Sequence, residues 1–364
     1  MPSLDTIITH LETLAPLDLA EDWDNVGLLI GTRTQNVERI MTCLTVTSAS
    51  AAEAIAERAD LIVTHHPVLF RPVQRLTDAT PEGVMLLGLL RAGIAVFSPH
   101  TAFDNAVGGI NDLLATKLGL TDIGPLRDCS EARFKIVVFV PESDLGKVSD
   151  AMFEAGAGHI GQYRECSFRS AGTGTFFGLD AANPAVGQKG RREQVAELRL
   201  EVVCPARRVD SVIAALRLAH SYEEPALDVY PLRHQSSASG AGRVGKLSVP
   251  CKLGDFAAQV KQTLGAAHVQ VVGESSLPVQ RIAIACGAGG EFVTDAVRVR
   301  ADVLLTGEAR FHDCLSAQAQ GLALVLPGHY ATERPGIEDL AVRLQKEWSD
   351  TRVWASVSEE DPVG

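Results

Sequence analysis

No stretch of this 364-residue chain is apolar for long enough to suggest a membrane span. The longest candidate, residues 83–97, is interrupted by Arg91 and falls short of the roughly 20 residues a bilayer requires. The start of the chain has no basic segment followed by an apolar signal core. Leu4, Ile7, Ile8, Leu11 and Leu14 repeat at helical spacing instead, so a cytoplasmic protein is expected. Positive charge is in deficit too: 33 Lys and Arg against 45 Asp and Glu leave a formal net charge of −12, which argues against general binding to DNA or RNA backbones. Single nucleotides stay open as ligands, because bound divalent ions can supply the charge a phosphate needs. The seven cysteines (Cys43, Cys129, Cys166, Cys204, Cys251, Cys286 and Cys314) show no CxxC spacing and an odd count. That is the usage of buried thiols in a reducing compartment, and none is assigned to metal or catalysis. Cys286-Gly287-Ala288-Gly289-Gly290 lacks GxGxxG and the Walker lysine, so its glycines read as a tight turn and not as a phosphate loop.

What is present is a chain long enough for two or three domains, 46% hydrophobic, with alternating strand and helix patterns. Strands are predicted at 40–46, 60–64 and 94–97, and helices at 48–58, 81–91 and 111–118, which favours a parallel or mixed sheet covered by helices. The end of the chain repeats its beginning. A shift of 242 positions lays Val37-Glu38-Arg39-Ile40 on Val279-Gln280-Arg281-Ile282 and Arg58-Ala59-Asp60 on Arg300-Ala301-Asp302 without a gap. Eight of the thirty positions from Val37 to His66 are identical. The expected architecture is α/β: two pseudo-symmetric βα lobes, 1–124 and 241–364, forming one core whose strand-end loops face a shared cleft. Residues 125–240 form an insert. Within it strands at 134–140, 163–168, 173–179, 195–204 and 226–230, with helices at 145–154 and 208–218, suggest a ferredoxin-like domain. It leaves through a Gly/Ser linker, Gln235 to Gly242.

Candidate chemistry collects at strand ends. Leu61-Ile62-Val63 reads as a buried strand that Pro67 cannot extend, so His65 and His66 fall at its carboxyl edge, where α/β sheets bind ligands. Taken alone the pair is either a metal-binding dipeptide or a surface or capping pair. His100 and Asp104 follow the next strand, and His329 and Glu333, four apart and so on one helical face, follow residues 322–326. His65, His66 and His329 with Asp104 and Glu333 make a dinuclear set, since transition-metal ions take imidazole and carboxylate together and a carboxylate can bridge two ions. His100 either joins as a ligand or orients Asp104. Glu308, the repeat partner of His66, and His312 are placed behind the ligands. His10, His159, His220, His234 and His268 are read as surface or packing residues.

Five motifs in order, Ala20-Glu21-Asp22-Trp23-Asp24-Asn25-Val26-Gly27-Leu28, Thr64-His65-His66-Pro67, His100-Thr101-Ala102-Phe103-Asp104, Thr306-Gly307-Glu308 and Gly328-His329-Tyr330-Ala331-Thr332-Glu333, resemble the GTP cyclohydrolase 1 type 2 homologs, or NGG-one-interacting-factor-three-like proteins. The resemblance implies two divalent cations held by His65, His66, Asp104, His329 and a bridging Glu333. It also implies a toroidal homohexamer with the metal sites facing an internal cavity. Residues 158–163 and 172–176 resemble the PII/CutA-like insert of longer members. Glu308 stands where that family often has Asp. Zn, Mn, Fe, Ni and Co all suit such ligands. The function implied is metal-dependent hydrolysis of a nucleotide-like substrate, with His100 or His312 as a general acid. The alternative is a metal-binding regulatory or scaffold protein whose insert senses a small molecule.

Overall fold

The computed structural model describes residues 1–128, 133–161, 163–233 and 238–363. Cys129, Gln162, His234 and the start of the expected linker, 235–237, lie outside the described residues. The chain divides into two compact units, Met1–Cys129 with Ser237–Gly364, and Ser130–Ser236.

The first unit is mixed α/β with two sheets. One runs in the order Gly27–Ile30, Ala95–Ser98, Leu61–Thr64, Arg39–Cys43, Arg352–Ala355, parallel except for its first pair. The other runs Gln270–Val272, Ala323–Leu326, Val303–Thr306, Pro278–Ala285, Gly240–Lys252, Leu120–Asp128, with a parallel centre and antiparallel flanks. The central strands are short continuous apolar runs because both of their faces are covered. Ile40, Leu61, Val63 and Phe97 from one sheet, and Ile282, Ile284, Val303 and Leu305 from the other, enter a single core with the helices Leu4–Leu14, Ile110–Lys117, Leu253–Leu264 and His329–Glu347. The alternate residues Met41, Ile62 and Val96 pack under the helices Ser48–Ala56 and Pro81–Ala92. Ala283, Leu304 and Leu324 do the same under Val293–Arg298 and Phe311–Ala319. Each such side chain contributes about 1.5–3 kcal/mol by leaving water. Among the described residues no helix is long and apolar enough to cross a membrane.

The 242-residue shift carries into backbone geometry. Ile40 opposes Leu61 as Ile282 opposes Val303, and the register holds to Cys43 with Thr64 and Ala285 with Thr306. The Asp60 carboxylate accepts from the backbone N–H groups of Glu38 and Arg39, and Asp302 accepts from those of Gln280 and Arg281. Arg58 and Arg300 both sit in the left-handed region, at φ 53° and 56°. The shared Arg-Ala-Asp therefore follows a helix with a tight turn, and its carboxylate holds the backbone of the preceding, neighbouring strand.

The second unit runs Arg133–Val140, Leu145–Glu154, Ser167–Phe177, Arg192–Pro205, Val209–Ala219, Leu227–Pro231. Its antiparallel sheet has the order Ser167–Phe177, Arg192–Pro205, Arg133–Val140, Leu227–Pro231. Ile136, Val138, Leu200 and Val202 face Val148, Met152, Val212 and Leu216 of the two long helices. The two strands expected either side of a glycine turn are one. Gly172 and Gly174 pair with Glu197 and Val195 in the ladder, so the glycines lie inside a continuous strand and make no turn. The expected Gly/Ser linker is also shorter at its end. From Gly240 the chain is already strand, and Gly242, at φ +62°, lies where a side chain would strike the carbonyl of Ile284.

Glu53 closes the first unit's C-terminal segment onto the helix Ser48–Ala56. It accepts from Trp354 Nε1 (3.0 Å), Ser356 Oγ (2.7 Å), Ser358 Oγ (2.7 Å) and the backbone N–H groups of Val357 and Ser358. Burial opposes its charge, but these donors outweigh burial and lower its pKa to about 2 from the ordinary 4.5. A folded-state pKa below the unfolded one gives stability that is present above about pH 4.5 and lost as pH falls through about 2. Glu53→Gln is expected to cost about 1 kcal/mol at pH 7, the half-exposed position holding it to the low end for charge-assisted bonds. The gap between variant and parent in denaturant midpoint should narrow below pH 4.5; a gap constant with pH would show that the charge is not the cause.

Candidate metal centre

Thr64 ends its strand with its hydroxyl on the carbonyls of Leu44 and His66, and Ser98 Oγ donates to the carbonyl of His65 (2.6 Å). These bonds fix the backbone of the histidine pair, and His65 is fully buried. Across from it Gly328, at φ 104°, turns the chain into the helix His329–Glu347, so His329 and Glu333 project together one turn apart.

Glu333 is the meeting point. Its Oε2 lies 3.0 Å from His66 Nε2 and 2.9 Å from His329 Nε2, and its Oε1 lies 3.7 Å from His65 Nε2. His65 Nε2 is also 3.7 Å from Asp104 Oδ1. The two Nε2 atoms of His66 and His329 stand 3.3 Å apart. Thr45 Oγ1 bonds His66 Nδ1 (2.7 Å) and Glu308 Oε1 bonds His329 Nδ1 (2.9 Å), which turns both Nε2 atoms inward. Both ring nitrogens of His65 are buried with no hydrogen-bond partner. Imidazole nitrogens and carboxylate oxygens that converge in this way, unpartnered and buried, fit divalent cations. His66, His329 and Glu333 form one group able to hold an ion, and His65, His66 and His100 another. Gly287 leaves room for them, since a Cβ there would collide with Glu333 Oε1.

The charges are strongly perturbed. Burial and the neighbouring Glu333 raise Asp104 against the pull of His65. Burial also opposes the charge on Glu333, but His65, His329 and His66 outweigh it and hold Glu333 well below the usual range. Burial alone would lower His329, yet Glu333 and Glu308 raise it to about 9. Burial, Asp104 and Glu333 push Cys286 well up, so it stays a thiol, and its Sγ donates to Asp104 Oδ1 at 3.1 Å.

His100 Nδ1 is held at 2.7 Å by Asp24 Oδ1, and its ring stands 5.1 Å from that of His65 and 5.6 Å from that of His66. His312 does not join. It is exposed against Phe311 and lines neither cavity at the centre. His10 packs on Trp348 and His220 bonds the carbonyl of Phe139. Sequence reasoning left out Thr45, Cys286 and Asn111, and quoted Asp24 without a role. Asn111 closes a ring, its Oδ1 accepting from the backbone of Cys286 (2.9 Å) and its Nδ2 donating to the carbonyl of Asp104 (3.1 Å).

The sequence profile of the Duf34/NIF3 (NGG1p interacting factor 3) family matches residues 2–362. The chain belongs to this family. A relative from Halalkalibacterium halodurans named GTP cyclohydrolase 1 type 2 homolog is 37% identical over 361 residues, 98% of this chain and 97% of its own length. A Bacillus subtilis relative of the same name is 39% identical over 326 residues, 89% of this chain and 87% of its own length. Among solved structures, a Bacillus cereus protein related to NIF3 is 35% identical with a TM-score of 0.68, covering 99% of this chain and 98% of its own. A Staphylococcus aureus protein is 29% identical with a TM-score of 0.72 and the same coverage. The Duf34/NIF3 relationship therefore spans both compact units.

Asp24, a buried side chain in this Duf34/NIF3 chain, accepts from His100 Nδ1, Thr101 Oγ1 (2.6 Å), Thr101 N (3.2 Å) and Asn25 N (2.7 Å). Asp24→Ala strands the Thr101 and His100 donors and is expected to destabilise the fold by about 2 kcal/mol in chemical denaturation, with Asp24→Asn costing less. Equal stability of Asp24→Ala and the parent would mean that this network carries no weight.

Proposed function

We propose that this Duf34/NIF3 chain binds two divalent cations through His65, His66, Asp104, His329 and Glu333 and hydrolyses a nucleotide-like substrate, as the name of its GTP cyclohydrolase 1 type 2 relatives suggests. The observation that carries the reading is Glu333, whose two oxygens face different histidines, Oε1 toward His65 and Oε2 toward His66 and His329. That is the placement of a bridging carboxylate, with Asp104 completing the His65 side. Imidazole and carboxylate together suit Zn, Mn, Fe, Ni or Co. A pair of such ions, when bound, generates a nucleophile from water at neutral pH and polarises the electrophile. The protein's own part is positional. Thr45 and Glu308 set the imidazole tautomers, Cys286 Sγ donates to the Asp104 carboxylate, and Asn111 ties the backbones of Cys286 and Asp104 together. His100, steered by Asp24 and close to both His65 and His66, is the residue placed to give a proton to a leaving group.

The architecture we infer around it is two pseudo-symmetric lobes and an inserted ferredoxin-like domain, expected at residues 125–240, whose compact unit is Ser130–Ser236. The shared register across the 242-residue shift supports the first part, and the order β-α-β-β-α-β supports the second. Assembly as a toroidal homohexamer is part of the same proposal. A second reading, a metal-binding regulator whose insert senses a small molecule, is favoured by a cavity of about 880 Å³ in the second unit, lined by Phe139, Phe176, Tyr222 and Ala226.

His65→Ala and Glu333→Ala are expected to lose bound cation by elemental analysis, while the parent, reloaded with the metal it carries, turns over a purine compound, nucleotide or nucleoside, and sediments as six copies. Retention of full metal content by both variants would sink the ligand assignment; metal without turnover of purine, phosphoester or amide substrates would leave the regulatory reading standing. Cys286→Ala is expected to weaken cation affinity about 10- to 100-fold, with Cys286→Ser, which keeps a donor, losing less. Unchanged affinity in both would remove Cys286 from the centre.

A further inference from the structure

A cavity of about 390 Å³, the small end of ligand-binding size, opens over the centre and is bounded by Asp104, His329 and Glu333. Its rim carries side chains that metal binding does not explain. Trp23 and Phe70 are 60% and 48% exposed, and their rings meet edge to face at 6.0 Å. Each also stands edge to face with His100, at 6.0 and 6.5 Å. Two large apolar rings held in water at the mouth of a polar site offer π-faces to a flat partner.

The charges of the lining narrow that partner. Glu21 and Glu291 line the same cavity, and the larger cavity beyond His66 and His329 is bordered by Glu308, Glu359, Glu360 and Asp361. Neither is lined by a described Lys or Arg. Arg127, beside Glu291, is paired with Asp295 at 2.6 Å, Arg334 with Glu359, and Arg71 lies outside both linings. Carboxylates accept from ring N–H and amino groups and repel phosphate. Phosphate sites are built from Arg, Lys or a helix N-terminus, and apart from the centre's own cations and His329 neither lining offers a positive charge to a polyanionic tail.

Resting on the metal-hydrolase reading above, we propose that the centre takes a flat, uncharged, N–H-bearing heteroaromatic ring, a nucleobase or nucleoside, seated against Trp23 and Phe70, and discriminates against the corresponding triphosphate. The ring would occupy the aromatic wall with its N–H groups toward Glu21 and Glu291, its reacting edge toward the centre and His100.

Guanosine and GTP serve as the probes, since they share one ring and differ in the anionic tail. The full chain, with its cation content measured and free cation buffered, is titrated with each by calorimetry, alongside Trp23→Ala and Phe70→Ala. Both residues are exposed, so the variants should fold and keep their cation. The expected result is guanosine bound at least about tenfold more tightly than GTP, with an affinity loss of about tenfold or more in each variant. GTP binding as tightly as guanosine, no guanosine binding, or unchanged affinity in both variants overturns the proposal. A chain that holds no cation overturns the metal reading instead, and the same titrations still decide this one, because the aromatic wall is built from protein alone.

Discussion

Glu333 is a buried carboxylate within reach of a second, Asp104, and much of the first unit is arranged to make that tolerable. An isolated ionised carboxylate away from water costs many kcal/mol, so such a group needs compensating charge and aligned donors. Three imidazoles supply partial compensation, and their convergence leaves His65 with two buried nitrogens that nothing in the chain satisfies. A cation held by these residues would resolve both difficulties at once, neutralising the carboxylates and occupying the imidazole lone pairs. The surrounding packing protects that geometry. Gly287 has no side chain where Glu333 needs space, and Gly336, a turn further along the helix, lets Ile110 lie against the backbone. The helix that carries Glu333 is thereby seated by close contact as well as by charge.

The proposed duplication accounts for the candidate centre drawing its histidine pair from one copy only. After Thr64 the first copy continues with His65 and His66; after Thr306 the second continues with Gly307 and Glu308. A side chain at Gly307 would meet the Cα of His329 and the carbonyl of Gly287, so at the place of His65 the second half leaves room for the start of the His329 helix. Glu308, at the place of His66, turns to His329 Nδ1. One copy then provides ligands, and the other provides space and orientation for the ligand that arrives on the helix. The conserved geometry of the strands and the divergent chemistry of their ends are two sides of one arrangement, because strand register is set by buried apolar faces while the loop residues are free to change.

That division also governs what could be read from the sequence. The parallel strands ending at Thr64, Ser98, Thr306 and Leu326 were legible because buried strands are unbroken apolar runs and the loops after them hold His, Asp and Glu in plain view. The edge strands of the larger sheet were not. Leu120–Asp128 contains Thr121, Asp122, Gly124 and Pro125, and Gln270–Val272 is three residues long, so neither shows alternation or a run. Glycine misled twice, read as a turn at 172–174 and as a linker at 240–242, because a residue free to turn is equally free to lie in a strand. The residues that hold the ligands were hidden for a different reason. Thr45 supports His66 from 21 positions away, Asp24 supports His100 from 76 and Cys286 supports Asp104 from 182, and none sits in a spacing that local chemistry dictates. Ligand types follow from what a metal accepts, so a chain can advertise them; their supports are any donor or acceptor the fold happens to bring within 3 Å, and only the fold reveals which.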